Sequence, residues 1–93
     1  MKAEFELGTT VMTRGVALSF KDNEQFTREV SEAFIRYCAK DWGDLCNEDK
    51  QMNKTALVEG ERLLARYNTS VEAIYIITEW DRSATTILFV SEY

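Results

Sequence analysis

The first dozen residues alternate in character. Ala3, Phe5, Leu7, Thr9 and Val11 share one parity, while Glu4, Glu6, Thr10 and Met12 take the other. A period of two predicts a strand with one face in water. Gly8 interrupts it and marks either a bulge or a close approach of backbone. Arg14-Gly15 is the expected turn, because glycine reaches conformations closed to its neighbours. Val16 to Phe20 fits a helical turn or an extended piece equally well.

From Asn23 the period lengthens. Phe26, Val30, Ala33, Phe34, Tyr37 and Cys38 recur at spacings of three and four, which predicts a helix over Asn23 to Ala39 with these residues along one face. Asp22 is the expected N-cap with Gln25 completing a capping box, and Gly43 the expected left-handed exit. A second helix is expected to open at Asn47, where Glu48 and Asp49 suit the positive end of the helix dipole. Met52, Ala56, Leu57, Gly60, Leu63, Leu64 and Tyr67 carry its apolar face as far as Asn68. Gly60 on that face implies close contact with another element, so Gly60→Leu is expected to destabilise the fold. Val71 to Thr78 and Ala84 to Val90 are rich in β-branched and aromatic residues and read as strands joined by Glu79 to Ser83. The expected architecture is α+β in a single domain over residues 1–93: a three-stranded antiparallel sheet with two helices packed on one face, in the order β-α-α-β-β.

Composition narrows the functional classes. A chain of 93 residues supports one core, burying roughly 65 per cent of its unfolded surface. Apolar residues at 45% and charged residues at 29% place it well away from disorder. No apolar run approaches the roughly 18 residues of a membrane span, and Met1-Lys2-Ala3-Glu4 is followed by acidic residues instead of a signal-peptide stretch, so a cytoplasmic location is expected. The two cysteines, Cys38 and Cys46, fall in no CxxC spacing, and there is no histidine. Neither a disulfide framework, a zinc site nor a Ser/His/Asp or Cys/His catalytic arrangement is supported, so no enzyme activity, metal or cofactor is expected. Sixteen acids against eleven bases leave a net charge of −5. That charge repels phosphate backbones, which argues against direct nucleic-acid binding and favours a basic protein partner.

Two segments carry candidate chemistry. "KDWGDLCNEDK" gathers Asp41, Asp44, Glu48 and Asp49 beside Trp42. It lacks the alternating oxygen ligands and fixed glycine of a calcium loop. Its structural reading has Asp44, Asn47, Glu48 and Asp49 capping and charging a helix start while Trp42 and Leu45 pack the corner; its functional reading is an acidic contact surface with an aromatic anchor. "WDRS" offers Trp80 and Arg82, residue types enriched at interfaces. Its structural reading is a hairpin loop in which Asp81 and Ser83 bond local backbone and Trp80 covers a core edge.

"TRGV" at Thr13 to Val16, "DWGDLCNEDKQMN" from Asp41, "GERLLARY" from Gly60 and "ITEWDRSATTILFVSEY" from Ile77 together resemble a family of small proteins carried on bacterial plasmids, phages and integrated elements. The resemblance spans nearly the whole chain. Lys40 stands where a glycine often precedes Asp41, and Val90 where proline commonly precedes the final Ser-Glu-Tyr. The resemblance implies an anti-CRISPR or anti-restriction type of inhibitor that binds a host nucleic-acid-handling complex; charge and residue type make Asp41, Trp42, Asp44, Glu48 and Asp49 the expected contacts, with Trp80 and Arg82 as a secondary surface. The competing expectation is a self-associating module that pairs as a homodimer through a sheet edge or open sheet face.

Overall fold

The computed structural model describes residues 3–93; the first two positions of the expected domain lie outside the described residues. Its elements are β1 (Thr9–Met12), α1 (Arg14–Asp22), α2 (Glu24–Cys38), α3 (Asn47–Glu59), β2 (Leu63–Tyr67), β3 (Ile74–Thr78) and β4 (Ala84–Phe89), followed by a 3-10 turn at Val90–Glu92. The α+β class holds, but the sheet has four strands in the order β1-β4-β3-β2 and is mixed. β2, β3 and β4 form an antiparallel meander, and β1 lies parallel to β4 at the outer edge.

The extra strand comes from the stretch expected to end the second helix. Leu63 and Tyr67, at i and i+4, satisfy both the helical and the strand period, so the pattern alone misassigns the stretch. Gly60 decides the outcome: at φ 71 it is the left-handed cap of α3, receiving no helical continuation, and a Cβ there would meet nothing within 4 Å. The expected close packing at Gly60 is therefore corrected; the requirement is conformational.

Other boundaries shift for local reasons. Arg14-Gly15 is no turn but the start of α1, capped by the Thr13 hydroxyl, which accepts from the Val16 N–H. Asn23, not Asp22, caps α2 through its side chain to the Phe26 N–H at 2.9 Å. The N-cap of α3 is Cys46 and not Asn47. Gly43 does not end α2, whose exit is made by Lys40 at φ 64. Gly43 instead lies against β2, bridging to Arg66, where a Cβ would collide with the Arg66 carbonyl and the Tyr67 ring. Residues 3–8 keep their alternation without joining the sheet: Phe5 and Leu7 pack on the core while Glu4 and Glu6 stay exposed. Gly8 is the close approach, lying against the Arg82 and Ser83 carbonyls.

One core lies between the sheet and the helices. Leu63, Ala65, Tyr67, Ile74, Ile76, Ile87 and Phe89 meet Val16 of α1, Phe26, Val30, Ala33 and Tyr37 of α2, Trp42 of the connection and Ala56 of α3. Each large apolar side chain buried here contributes roughly 1.5–3 kcal/mol relative to an exposed one. A chain of hydroxyls crosses this core: Tyr37 to Thr78 at 2.6 Å, Thr78 to Thr85 at 2.8 Å, and Thr85 donating to the Leu7 carbonyl at 2.7 Å. The terminal carbonyl can only accept, which orients every proton along the row and tethers the N-terminal segment.

The opposite sheet face is partly covered. Ile77 and Leu88, which point away from the helices, are 5% and 8% exposed. Tyr93 closes over this face, meeting the Tyr75 ring edge-on at 5.3 Å and accepting from Arg62 at 2.6 Å. No helix among the described residues is long and apolar enough to cross a membrane.

Candidate functional site

A groove of about 620 Å³ lies between α3 and β2. Met52 and Ala56 from α3 and Leu64 from β2 form its floor, with Glu48, Asp49 and Glu61 on the rim beside Arg62. Met52, expected on a buried helix face, is 67% exposed. Three carboxylates against one guanidinium make this rim acidic.

Two polar clamps hold its walls. Asn53, only 4% exposed, accepts from the Leu64 N–H at 3.2 Å and donates to the Leu64 carbonyl at 2.7 Å. Its amide thus satisfies the outer edge of β2 as a neighbouring strand would, and fastens α3 to that edge. Arg82 supplies the second clamp. Its guanidinium donates to the Glu61 carbonyl at 2.6 Å, the Ala56 carbonyl at 3.1 Å and the Glu79 carbonyl at 3.1 Å. A cation at the C-terminal carbonyls of α3 is also favoured by the helix dipole. Ala56 and Glu61 meet at the exit of α3, where the Glu61 N–H also donates to the Ala56 carbonyl at 3.0 Å, so this side chain from the β3–β4 loop fastens the end of α3 that borders the groove.

That loop explains its own sequence. The Arg82 N–H bonds the Glu79 carbonyl at 2.9 Å, and Arg82 itself has φ 60. A turn followed by one left-handed residue closes hairpins longer than the two-residue type, so no Asn-Gly is needed. Asp81 accepts from the Ser83 N–H at 3.0 Å, as the structural reading expects. Trp80 departs from that reading: it is 66% exposed and covers no core edge.

The acidic corner is divided by the structure. Asp41 is paired with Arg36 at 2.8 Å and 3.3 Å and accepts the Gly43 N–H at 3.1 Å; the Arg36 bond holds its carboxyl below the usual range. Both partners are about half exposed, so this pair is worth well under 1 kcal/mol. Asp44 accepts the Asn68 N–H at 2.9 Å. Trp42 is 4% exposed and packs on Phe5 and Tyr37, which removes it as a surface anchor and makes it a core residue. Only Glu48 and Asp49 of the corner reach the groove. Asn53, Glu61, Arg62 and Leu64 were not legible as site residues, because the helix expected over Asn47 to Tyr67 hid the chain reversal at Gly60 that creates the groove.

A second depression, about 370 Å³, lies across α3 from the groove, lined by Lys40, Asp41, Trp42, Asn47, Lys50 and Lys54 among others. Cys46 is exposed and Cys38 buried, both as free thiols, with burial pushing the Cys38 thiol up. Among the described residues no group of three or more His, Cys, Asp or Glu side chains is placed to hold a metal ion.

Fold and site together define an α+β domain with a clamped, acid-rimmed groove on one side of a single ridge helix. No family model matches the chain, and no curated protein or solved structure matches it either.

Proposed function

We propose that this protein is a small inhibitor encoded on a mobile element, which binds a host defence complex of the anti-CRISPR or anti-restriction target type through the α3–β2 groove. The observation that carries the binding reading is the pair of clamps, Asn53 on Leu64 and Arg82 on Ala56 and Glu61. Walls held by the protein's own bonds leave less ordering cost to be met on association. The resemblance in "TRGV", "DWGDLCNEDKQMN" and the C-terminal hairpin supplies the host-defence setting. A groove with an apolar floor and an acidic rim suits a basic, partly apolar segment, as found at nucleic-acid channels, and charge complementarity speeds its encounter. Glu48, Asp49 and Glu61 would contact it directly, and Trp80 is an exposed aromatic on the β3–β4 loop; Arg82 acts by positioning.

The test is DNA cleavage by reconstituted CRISPR effectors and restriction enzymes with and without the protein. Wild type is expected to suppress cleavage by at least one of them, and the variant Glu48→Lys/Asp49→Lys/Glu61→Lys to lose on the order of tenfold or more in potency. Unimpaired cleavage across such a panel, or a charge-reversed variant that inhibits equally, would sink the reading.

The open β1 edge favours a second reading, self-association. β2's edge is occupied by Asn53 and by the Asp44 N–H on the Arg66 carbonyl, whereas all four β1 residues are exposed at the sheet's other border. Sedimentation separates the two: a tight dimer supports strand pairing, and a monomer at micromolar concentration excludes it.

A further inference from the structure

Two residues other than glycine have positive φ, Lys40 at 64° and Arg82 at 60°, among the described residues. Such backbone is unfavourable for a residue with a side chain, and a glycine would relieve it. Arg82 has a visible compensation in its carbonyl clamp. The left-handed backbone of Lys40 closes α2, with its N–H donating to the Tyr37 carbonyl at 3.0 Å and the Asp41 N–H to the Arg36 carbonyl at 2.8 Å, but its ammonium makes no hydrogen bond and no ion pair among the described residues, where Arg36–Asp41 is the one salt bridge. The same is true of the ammonium groups of Lys50 and Lys54, one helical turn apart on α3. These three of the chain's five lysines line one depression in a protein of net charge −5.

We infer that Lys40, Lys50 and Lys54 form an anion site that takes the phosphate of a phosphate monoester. Asp41, the one acid in the lining, is shared among Arg36, the Gly43 N–H and the charge of Lys50, so the three ammonium groups outweigh it. Glu48 and Asp49 line the groove on the other side of α3. Three ammonium charges match a dianion better than a single carboxylate, and lysine binds phosphate as a point charge without the planar fork that carboxylates favour from arginine. Asn47 and Gln51 add neutral amide donors at the margin, and the space exceeds a bare phosphate, leaving room for the esterified group. Lys40, at the left-handed exit of α2, brings the third charge from the α2–α3 connection, which α3 by itself cannot supply. This site is independent of the groove and of the inhibitory reading.

The experiment is a titration of the 15N-labelled full chain with inorganic phosphate, followed by backbone amide shifts, with acetate and with sodium chloride at equal ionic strength as controls. Phosphate is expected to give saturable shifts at Lys40, Asn47, Lys50, Gln51 and Lys54 that neither control reproduces. Lys50→Gln/Lys54→Gln is expected to weaken binding on the order of tenfold, while Lys21→Gln, remote in the sequence from the site, leaves it unchanged. Lys40→Gly provides the sharpest variant: it should melt at a higher temperature than wild type and yet bind phosphate less well. Glucose 6-phosphate and O-phosphoserine then separate a free metabolite from a phosphorylated side chain by which binds more tightly. Linear shifts, shifts equal to those in chloride, a double variant with unchanged affinity, or phosphate esters no tighter than acetate would each overturn the site.

Discussion

Gly60 and Thr85 show how much a single residue decides here. At Gly60 the chain leaves α3 in the left-handed region with open space around it. Gly60→Ala and Gly60→Leu should therefore cost nearly the same, about 1 kcal/mol each, since both suffer from φ and neither collides. Chemical denaturation checks this, and a leucine variant several-fold worse than alanine would restore the close-packing explanation. Within the hydroxyl chain, Thr85 both accepts from Thr78 and donates to Leu7. Thr85→Val orphans two buried groups and should cost roughly 2–3 kcal/mol, whereas Tyr37→Phe leaves Thr78 still donating and should cost about 1 kcal/mol. The reverse order, measured by urea unfolding, would mean that the protons run the other way.

At the scale of elements, α3 and the β3–β4 loop form one unit. The helix buries little of itself, with Asn53 and Ala56 its fully buried residues, so its attachment depends on the Asn53 amide and the Arg82 guanidinium. Asn53→Ala exposes the Leu64 N–H and carbonyl and should destabilise by roughly 1–3 kcal/mol. Arg82→Ala should raise amide hydrogen exchange in the last turn of α3 and around Glu61, with β3 and β4 protection retained. Uniform loss of protection across the sheet would show that Arg82 stabilises the whole fold and not this junction. Little of this was legible beforehand. Trp80 and Arg82 could be picked out by residue type, but the carbonyls Arg82 binds belong to segments 21 and 26 residues away in sequence, and backbone carbonyls leave no mark in residue identity.

Over the whole molecule, pH stability has two limbs of known sign. Asp41 is held below the ordinary carboxylate range by the Arg36 bond, Glu29 by the Ser70 N–H and hydroxyl, and Asp81 by the Ser83 hydroxyl and N–H. Groups with depressed folded values stabilise above their unfolded value, about 4, and that contribution is lost as pH falls through the folded value. Tyr37 and Tyr67 are shifted the other way by burial, Tyr67 further by the Asp41 charge. Their contribution is complete below about pH 10 and is lost as pH rises beyond it. Thermal midpoints should therefore plateau between about pH 5 and about pH 9 and fall on both sides. The phenolate absorbance of Tyr37 and Tyr67 should appear together with the loss of secondary structure; ionisation of these two while the circular dichroism stays native would contradict their burial.

The sequence by itself determined what depends on local periodicity and composition. The α+β class, the long amphipathic helix around Phe26 to Cys38 and the two C-terminal strands follow from spacings of two or of three and four, which record the side of an element that meets the core. Tertiary structure decided the rest. Leu63 and Tyr67 satisfied both periods, and pairing of Leu63–Tyr67 with β3 selected the strand. Asp41, Asp44, Glu48 and Asp49 looked like one acidic surface, yet Arg36 and the Asn68 N–H claimed the first two while α3 turned the others toward the groove. The physical reason is the same in both cases: period and composition report a residue's own preference, whereas the groove, its clamps and the lysine basin depend on partners brought in from distant parts of the chain.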